Sequence, residues 1–158
     1  MTTSSPNADL SPSVDRIVVT ASGFQLDDWH NRPKLNLSEM ADSNAQRRKN
    51  GVVVLHGDQQ VEDLSPWLAD VTAVEIVFDN AGDGRGFSLA RHLKELGFKG
   101  CIRASGSIHV DQFRQVLQCG CDAVILTLEA ASRMPEQHWI STASRLGASY
   151  QSRLGLAN

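Results

Sequence analysis

The amino-acid sequence predicts an α/β protein with a mainly parallel sheet of about five strands and helices on both faces. From Gly51 onwards, short apolar runs alternate with stretches whose apolar residues recur at the helical period. Four of these runs begin near positions 52, 74, 101 and 123, a spacing that suits an open doubly wound sheet or part of a β/α barrel. Because 158 residues are too few to close a barrel, we expect the open, doubly wound sheet.

The N-terminal third is less regular. Residues 1–13 are rich in Ser, Thr, Pro and Asn, which predicts a disordered tail followed by a single α/β domain over residues 14–158. The β-branched run Arg16–Thr20 predicts a strand at an edge or in a hairpin. The polar stretch 27–50 predicts an irregular excursion in which Gln46–Lys49 is a solvated basic turn.

The remaining elements follow from apolar periodicity. The predicted strands are Val52–Leu55, Val74–Phe78, Cys101–Ala104 and Ala123–Leu126. The predicted helices are Val61–Leu68, Ser88–Leu96, Val110–Gln118 and Pro135–Leu146. Ser88 is a suitable residue for a helix start and Gly97 for a helix end, so the second helix is the best defined of the four.

Composition excludes several classes of function. The net charge of −3 gives no general attraction to nucleic acid or to an anionic membrane. No apolar run reaches the roughly 18–20 residues that cross a bilayer, and the N-terminus has no signal-peptide pattern, so a cytoplasmic location is expected. Cys119 and Cys121 form a CxC pair without the second pair of a zinc site; we expect reduced thiols that pack under the sheet and no metal.

Polar residues collect where the predicted parallel strands end, the edge at which such sheets bind ligands. The segment 79–88 contains three glycines and opens a helix, whose first N–H groups are unpaired. Arginine side chains at three positions add positive charge. The sequence therefore predicts a site for a phosphate, sulfate, sulfite or carboxylate group, formed by Gly84, Arg85, Gly86, Ser88, Arg91 and Arg103.

Other interpretations of this loop stay open. Asp83 and Arg85 could form an ion pair that braces a tight turn, with Ser88 as a simple helix cap, or Asp79 and Asp83 could bind a metal ion. The loop lacks both the GK[ST] ending of a P-loop and a dinucleotide fingerprint, so no cofactor is assigned. Asp83 and His109 are candidates for an acid or base, but no pattern assigns a catalytic residue.

Four blocks of sequence resemble a bacterial family of uncharacterised proteins that carries the label of an oxidoreductase involved in sulfite reduction. The blocks are Asp83–Arg91, Gly97–Gly100, Ile102–Gly106 and Asp111–Gln112; the similarity continues through Cys119–Ala123 and reaches back weakly to Asp27–Trp29. The chain departs from the family pattern at Ser107–Val110 and at Asp79–Gly82. The resemblance implies a role in sulfur assimilation beside a sulfite reductase subunit, and it supplies no catalytic residue.

Three functions follow as hypotheses. The first is an accessory protein of assimilatory sulfite reduction that binds an anion at the glycine loop. The second is an enzyme that uses the same pocket, with Asp83 or His109 as acid or base and arginines stabilising negative charge. The third is a module that docks onto a reductase subunit through an exposed apolar patch involving Trp29, Phe87 or Trp139.

Overall fold

A computed structural model describes residues 16–80, 82 and 84–144 of the chain. Seven strands form one sheet in the order β2-β1-β7-β6-β5-β4-β3. The strands are β1 (Arg16–Thr20), β2 (Gly23–Leu26), β3 (Lys34–Asn36), β4 (Val52–His56), β5 (Ala73–Phe78), β6 (Cys101–Gly106) and β7 (Ala123–Thr127). Strands β3 to β7 are parallel, whereas β1 is antiparallel to both β2 and β7.

The described part also contains five α-helices and three 3-10 segments. The helices are α1 (Ala45–Asn50), α2 (Arg85–Glu95), α3 (Phe113–Gln118), α4 (Leu128–Arg133) and α5 (Glu136–Ser144). The 3-10 segments are Leu37–Glu39, Val61–Trp67 and Val110–Gln112. The predicted helix at 61–68 is a 3-10 segment that contains Pro66, which has no N–H to donate to a regular α-helical ladder.

The winding of the parallel strands differs from the expected one. Strands β3 to β7 lie in the sheet in the same order as in the chain, so the order never reverses. Because crossovers between parallel strands are nearly always right-handed, such a sheet keeps all its crossover segments on one side. The sheet is open, as expected, but it is wound in one direction like part of a β/α barrel, and the prediction of a doubly wound sheet is wrong.

The two faces of the sheet are covered differently. Alternate residues of each strand point to opposite sides; we call the side of Val53, Ile76 and Val124 the helix face, and the side of Val52, Glu75, Arg103 and Ile125 the Trp29 face. The core of the helix face includes the buried side chains Leu89, Ala90, Leu93, Phe113, Val116, Leu117, Trp139 and Ala143 from α2, α3 and α5. The smaller core of the Trp29 face consists of strand residues and Trp29.

The prediction of helices on both faces is therefore wrong for the described residues. Among them, no helix contributes a side chain to the core of the Trp29 face. The count of five strands is also wrong, because the short edge strands β2 and β3 were missed. A three- or four-residue strand carries too few alternations to be recognised, yet it pairs readily with a neighbour already in the sheet. The prediction of β1 as part of a hairpin is confirmed by its pairing with β2.

The polar excursion also contains more structure than expected. The predicted basic turn is the helix α1, which Asn44 caps by accepting a hydrogen bond from the Arg47 N–H at 2.7 Å. Arg48 is not simply solvated: its guanidinium lies 4.6 Å from the centre of the Trp67 ring and its Nε lies 3.0 Å from Asp70 Oδ2. The segment is thus tied to the fold through an arginine side chain that stacks on an aromatic ring.

The predicted disordered tail at 1–13 and the predicted end of the last helix at Leu146 fall outside the described residues. Within the part of the chain that the structure describes, no helix combines the length and the apolar character needed to cross a membrane.

Candidate functional site

The start of α2 lies at the edge where the parallel strands end. Gly84 caps the helix, and Arg85 and Ser88 in its first turn are exposed. The Arg85 side chain lies across the loop that follows β4, since a Cβ on Gly57 would be only 3.2 Å from Arg85 Nε. A Cβ on Gly84 would meet no atom within 4 Å, so the space around the loop is open. This end of α2 is therefore accessible and carries an arginine.

Gly86 has a packing role. It is buried, and a Cβ at this position would lie 2.5 Å from the ring of Phe78. Phe78 in turn makes an edge-to-face contact with Phe87, with ring centres 5.0 Å apart. A side chain on residue 86 would displace this aromatic pair, so the second glycine of the motif lets α2 approach the end of β5 closely.

The two other predicted arginines do not join this loop. Arg91 is exposed further along α2, where its charge acts on Cys119. Arg103 is buried on the Trp29 face, whereas α2 packs on the helix face through Leu89, Ala90 and Leu93. The sheet thus separates Arg103 from the start of α2, because residues on opposite faces of a strand cannot share one small ligand there.

The acid–base candidates are only partly placed. Asp83 lies outside the described residues. His109 is exposed, and its backbone N–H donates a hydrogen bond to Gln112 Oε1 at 2.9 Å, which is one half of a helix capping box. Among the described residues, no three His, Cys, Asp or Glu side chains are grouped in a way that could hold a metal ion.

The apolar docking patch proposed from sequence is contradicted. Trp29, Phe87 and Trp139 are 3%, 7% and 2% exposed, so none of them can form a surface patch. The large apolar side chains that are exposed in the described part are Leu26, Leu96 and Leu128. They lie singly in β2, at the end of α2 and in α4, and isolated exposed leucines are ordinary in folded proteins.

Sequence reasoning missed a charged network on the Trp29 face. Its centre is Arg103, whose guanidinium lies 4.0 Å from the centre of the Trp29 ring. Arg103 Nη1 lies 2.8 Å from Asp28 Oδ1 and 3.7 Å from Asp27 Oδ1. Arg16 extends the network, with its Nε 3.5 Å from Asp27 Oδ2. Burial acts to raise the pKa of Asp28, but the hydrogen bond and charge of Arg103, a backbone hydrogen bond and the charge of Arg32 together outweigh it, so the pKa is lowered.

Glu75 forms the second half of this network. Its Oε1 accepts hydrogen bonds from Arg16 Nη2 at 3.1 Å and from Lys34 Nζ at 3.3 Å, and its Oε2 accepts one from Ser105 Oγ at 2.7 Å. Burial favours a higher pKa for Glu75, but these donors and charges together hold it below its ordinary value. Within these ion pairs the three cations Arg16, Lys34 and Arg103 face the three anions Asp27, Asp28 and Glu75.

A small cavity of about 200 Å³ lies at the end of this network, lined by Arg16, Glu75, Ser105, Gly106, Ile125, Leu126, Thr127 and Ala130. In a β/α barrel the ends of the strands line the active site. Here the cavity is smaller than a typical ligand pocket, and the Glu75 carboxylate already accepts hydrogen bonds from Arg16 and Ser105. One sequence signal could have indicated the network: Glu75 interrupts the apolar strand Ala73–Phe78, and a charged residue in such a run needs partners.

Comparison with known families adds one finding. Residues 52–156 match the model of a family described as bacterial proteins of unknown function, DUF934, and the match spans well over half of the chain. The chain belongs to the DUF934 family. No curated protein matches it. The part that matches DUF934 contains β4 to β7 and the glycine loop, whereas Arg16, Asp27, Asp28 and Lys34 of the charged network precede it.

Proposed function

We propose that this DUF934 chain is an accessory protein of assimilatory sulfite reduction, which binds a small anion at the start of α2. The link to sulfite reduction rests on the resemblance of Asp83–Arg91 and the three blocks that follow it to the family labelled as oxidoreductases of sulfite reduction. The site comprises the Arg85 side chain, the Ser88 hydroxyl and the backbone N–H groups at Gly84 to Gly86. Arg91 and Arg103, which the sequence predicts as members of this site, are left out because Arg91 lies further along α2 and Arg103 lies on the Trp29 face.

The observation that supports this proposal is the exposed first turn of α2. An α-helix of 11 residues has unpaired N–H groups and the positive end of its dipole at this position. Arg85 adds a full positive charge at the same end, and its side chain lies beside Gly57, where an added Cβ would come within 3.2 Å of its Nε. An anion placed there would accept hydrogen bonds from a guanidinium fork and from the backbone.

The class of ligand follows from this geometry. Sulfite, sulfate and phosphate each present several oxygen acceptors around one compact centre, which suits donors that converge from a helix end and an arginine. A nucleotide would need further surface for its base and ribose, and the loop has no fingerprint for one. We expect sulfite or sulfate to bind more tightly than a monovalent anion such as chloride.

The test is thermal unfolding of the full chain with sulfite, sulfate or phosphate, at an ionic strength held constant with chloride. A ligand that binds the native state at one hundred times its Kd stabilises the protein by about 2.7 kcal/mol. Arg85→Ala should abolish the shift. Arg91→Ala is the matched control, because it removes an exposed arginine from the same helix at a distance from its start, and it should keep the shift.

Two results would contradict the proposal. One is a shift with sulfite, sulfate and phosphate no larger than that with chloride. The other is a shift that survives in the Arg85→Ala protein but disappears in the Arg91→Ala protein, which would move the anion to another part of α2.

A further inference from the structure

Two cysteines form a compact pair that the proposed function does not use. Cys119 ends α3, Cys121 precedes β7, and Gly120 lies between them. The chain turns sharply there: the Gly120 N–H donates to Leu117 O at 3.3 Å and the Cys121 N–H donates to Val116 O at 3.2 Å. Gly120 has φ of +120°, a conformation that side-chain-bearing residues rarely adopt.

This turn brings the two thiols together. Both cysteines are free, both are 4% exposed, and both side chains belong to the core of the helix face. The Cys119 thiol donates to Val116 O at 3.1 Å, and the side chains of Cys119 and Cys121 interact with each other across the turn. Two residues separated by one glycine in a turn have Cα atoms within the range that a disulfide can span.

The surroundings make the two thiols unequal. The interaction with the Cys121 side chain and the charge of Arg91 lower the pKa of Cys119, although burial opposes this effect. The interaction with Cys119, together with burial, raises the pKa of Cys121. Because the thiolate is the attacking species in thiol–disulfide exchange, the thiol with the lowered pKa is suited to attack first.

We propose that Cys119 and Cys121 are a reversible dithiol–disulfide pair, oxidised by a low-molecular-weight disulfide, with Cys119 as the attacking thiol and Cys121 as the resolving thiol. Cys101, the third cysteine, lies on the Trp29 face of the sheet and takes no part.

The exchange balances in two steps. The Cys119 thiolate attacks one sulfur of the small disulfide; that S–S bond breaks, the leaving thiolate takes the electron pair, and a mixed disulfide remains on Cys119. Cys121 then gives its proton to water or to the departing thiolate and attacks the Cys119 sulfur, which releases a second small thiol. The two protein thiols are oxidised and one small disulfide is reduced to two thiols.

Burial determines how the exchange starts. With only 4% of each cysteine exposed, the oxidant needs a local opening of the turn between α3 and β7. The opening can be confined to the end of α3 and the Gly120 turn, because local openings cost less free energy than global unfolding. The small ring closed by a CxC disulfide is strained, which makes it easily reduced and fits a regulatory bond better than a structural one.

The experiment uses the full native chain equilibrated with defined mixtures of reduced and oxidised glutathione, quenched in acid, alkylated and analysed by mass spectrometry. We expect oxidised protein to lose the mass of two hydrogen atoms and two of its three alkylatable thiols. Peptide mapping should place the bond between Cys119 and Cys121, and dithiothreitol should reverse it. Circular dichroism checks that the chain stays folded throughout.

Three variants separate the roles. Cys101→Ser is the matched control and should form the same bond as the wild type. Cys121→Ser should accumulate a glutathione adduct on Cys119, because the resolving thiol is gone. Cys119→Ser should react much more slowly, because the remaining thiol of the pair is no longer activated.

The proposal is overturned if the wild type keeps three alkylatable thiols in oxidised glutathione while folded, if the bond forms only in denaturant, or if Cys101 supplies one of the sulfurs. None of these results bears on anion binding at the start of α2, which is tested separately.

Discussion

The two faces of the sheet are closed by different physical means. On the helix face, apolar side chains from α2, α3 and α5 fill the space above the strands. On the Trp29 face, the segment between β2 and β3 lays one tryptophan and two aspartates over the sheet, where Arg16 and Arg103 meet them. The first face depends on packed volume, whereas the second depends on charges that balance one another.

This difference follows from the direction of winding. A parallel sheet that is wound in one direction receives all its crossover helices on one side, and its other side needs a separate cover. In a closed β/α barrel, the second side of the sheet lines the interior, where side chains from opposite strands pack against one another. In this open sheet the cover includes Trp29 and the ionic network, so the stability of the two faces should respond to different substitutions.

The largest expected effect is on the helix face. Phe113 is fully buried and contacts Trp139 edge to face, with ring centres 5.3 Å apart. Phe113→Ala should lower the free energy of unfolding by about 3–5 kcal/mol, because it removes a large apolar side chain and leaves a cavity. Urea unfolding measures the loss. Gln115→Ala, at an exposed position of the same helix, should change it by less than about 0.5 kcal/mol.

The second effect tests whether charge balance holds the Trp29 face. Arg103→Met should cost about 2–3 kcal/mol, because Asp27 is buried and loses a partner. The cost stays below that of a fully buried pair, since Asp28 is exposed and Arg16 still faces Asp27. Adding Asp27→Asn to Arg103→Met should recover part of the loss in urea unfolding. A double variant less stable than Arg103→Met would contradict the charge-balance account.

A third comparison concerns the fit of α2 on the helix face. Gly86→Ala places a methyl group against the Phe78 ring, which should cost about 1–3 kcal/mol from overpacking, partly offset by about 1 kcal/mol of improved helix propensity. Gly84→Ala is the matched control, because its new methyl group meets no atom within 4 Å. Thermal unfolding should show a clear loss for residue 86 and little change for residue 84; equal effects would refute the packing role of Gly86.

The smallest effect is a difference in pH dependence. The pKa of Glu75 is lowered in the folded protein, so its charge stabilises the fold above its ordinary value of 4.5, and this contribution is lost as the pH falls through the lower folded value. Glu75→Gln removes the titration. Urea unfolding from neutral to acid pH should therefore show a shallower loss of stability in the variant than in the wild type; parallel curves would mean that Glu75 is not coupled to folding.

Part of the fold could be predicted from residue patterns. The apolar runs at Val52–Leu55, Val74–Phe78, Cys101–Ala104 and Ala123–Leu126 each lie within a strand, and the helix over Ser88–Leu96 overlaps α2. The edge strands β2 and β3 and the helix α1 carry few apolar residues, and they form because neighbours and caps hold them. Short elements of this kind depend on tertiary contacts more than on local propensity.

The candidate site shows the same division. The glycine-rich sequence predicts that Gly84, Arg85 and Ser88 lie where a loop meets a helix. This could be predicted because a loop and the first helical turn after it are neighbours along the chain. Arg103 was grouped with them because it lies near the end of a strand, and only its position on the Trp29 face separates it. Successive residues of a strand point to opposite faces of the sheet. The linear sequence therefore does not show which ligand a given strand side chain can reach.

The sequence by itself determined the α/β class, the buried parallel strands and the accessible start of α2, since these follow from local periodicity and from turn residues. Only the tertiary structure decided the direction of winding, the Trp29 face whose core contains no helix residue of the described part, and the pairing of Arg16 with Glu75 and of Arg103 with Asp28. The reason is that strand order and charge pairing depend on residues far apart in the chain, whose relative positions local pattern does not constrain.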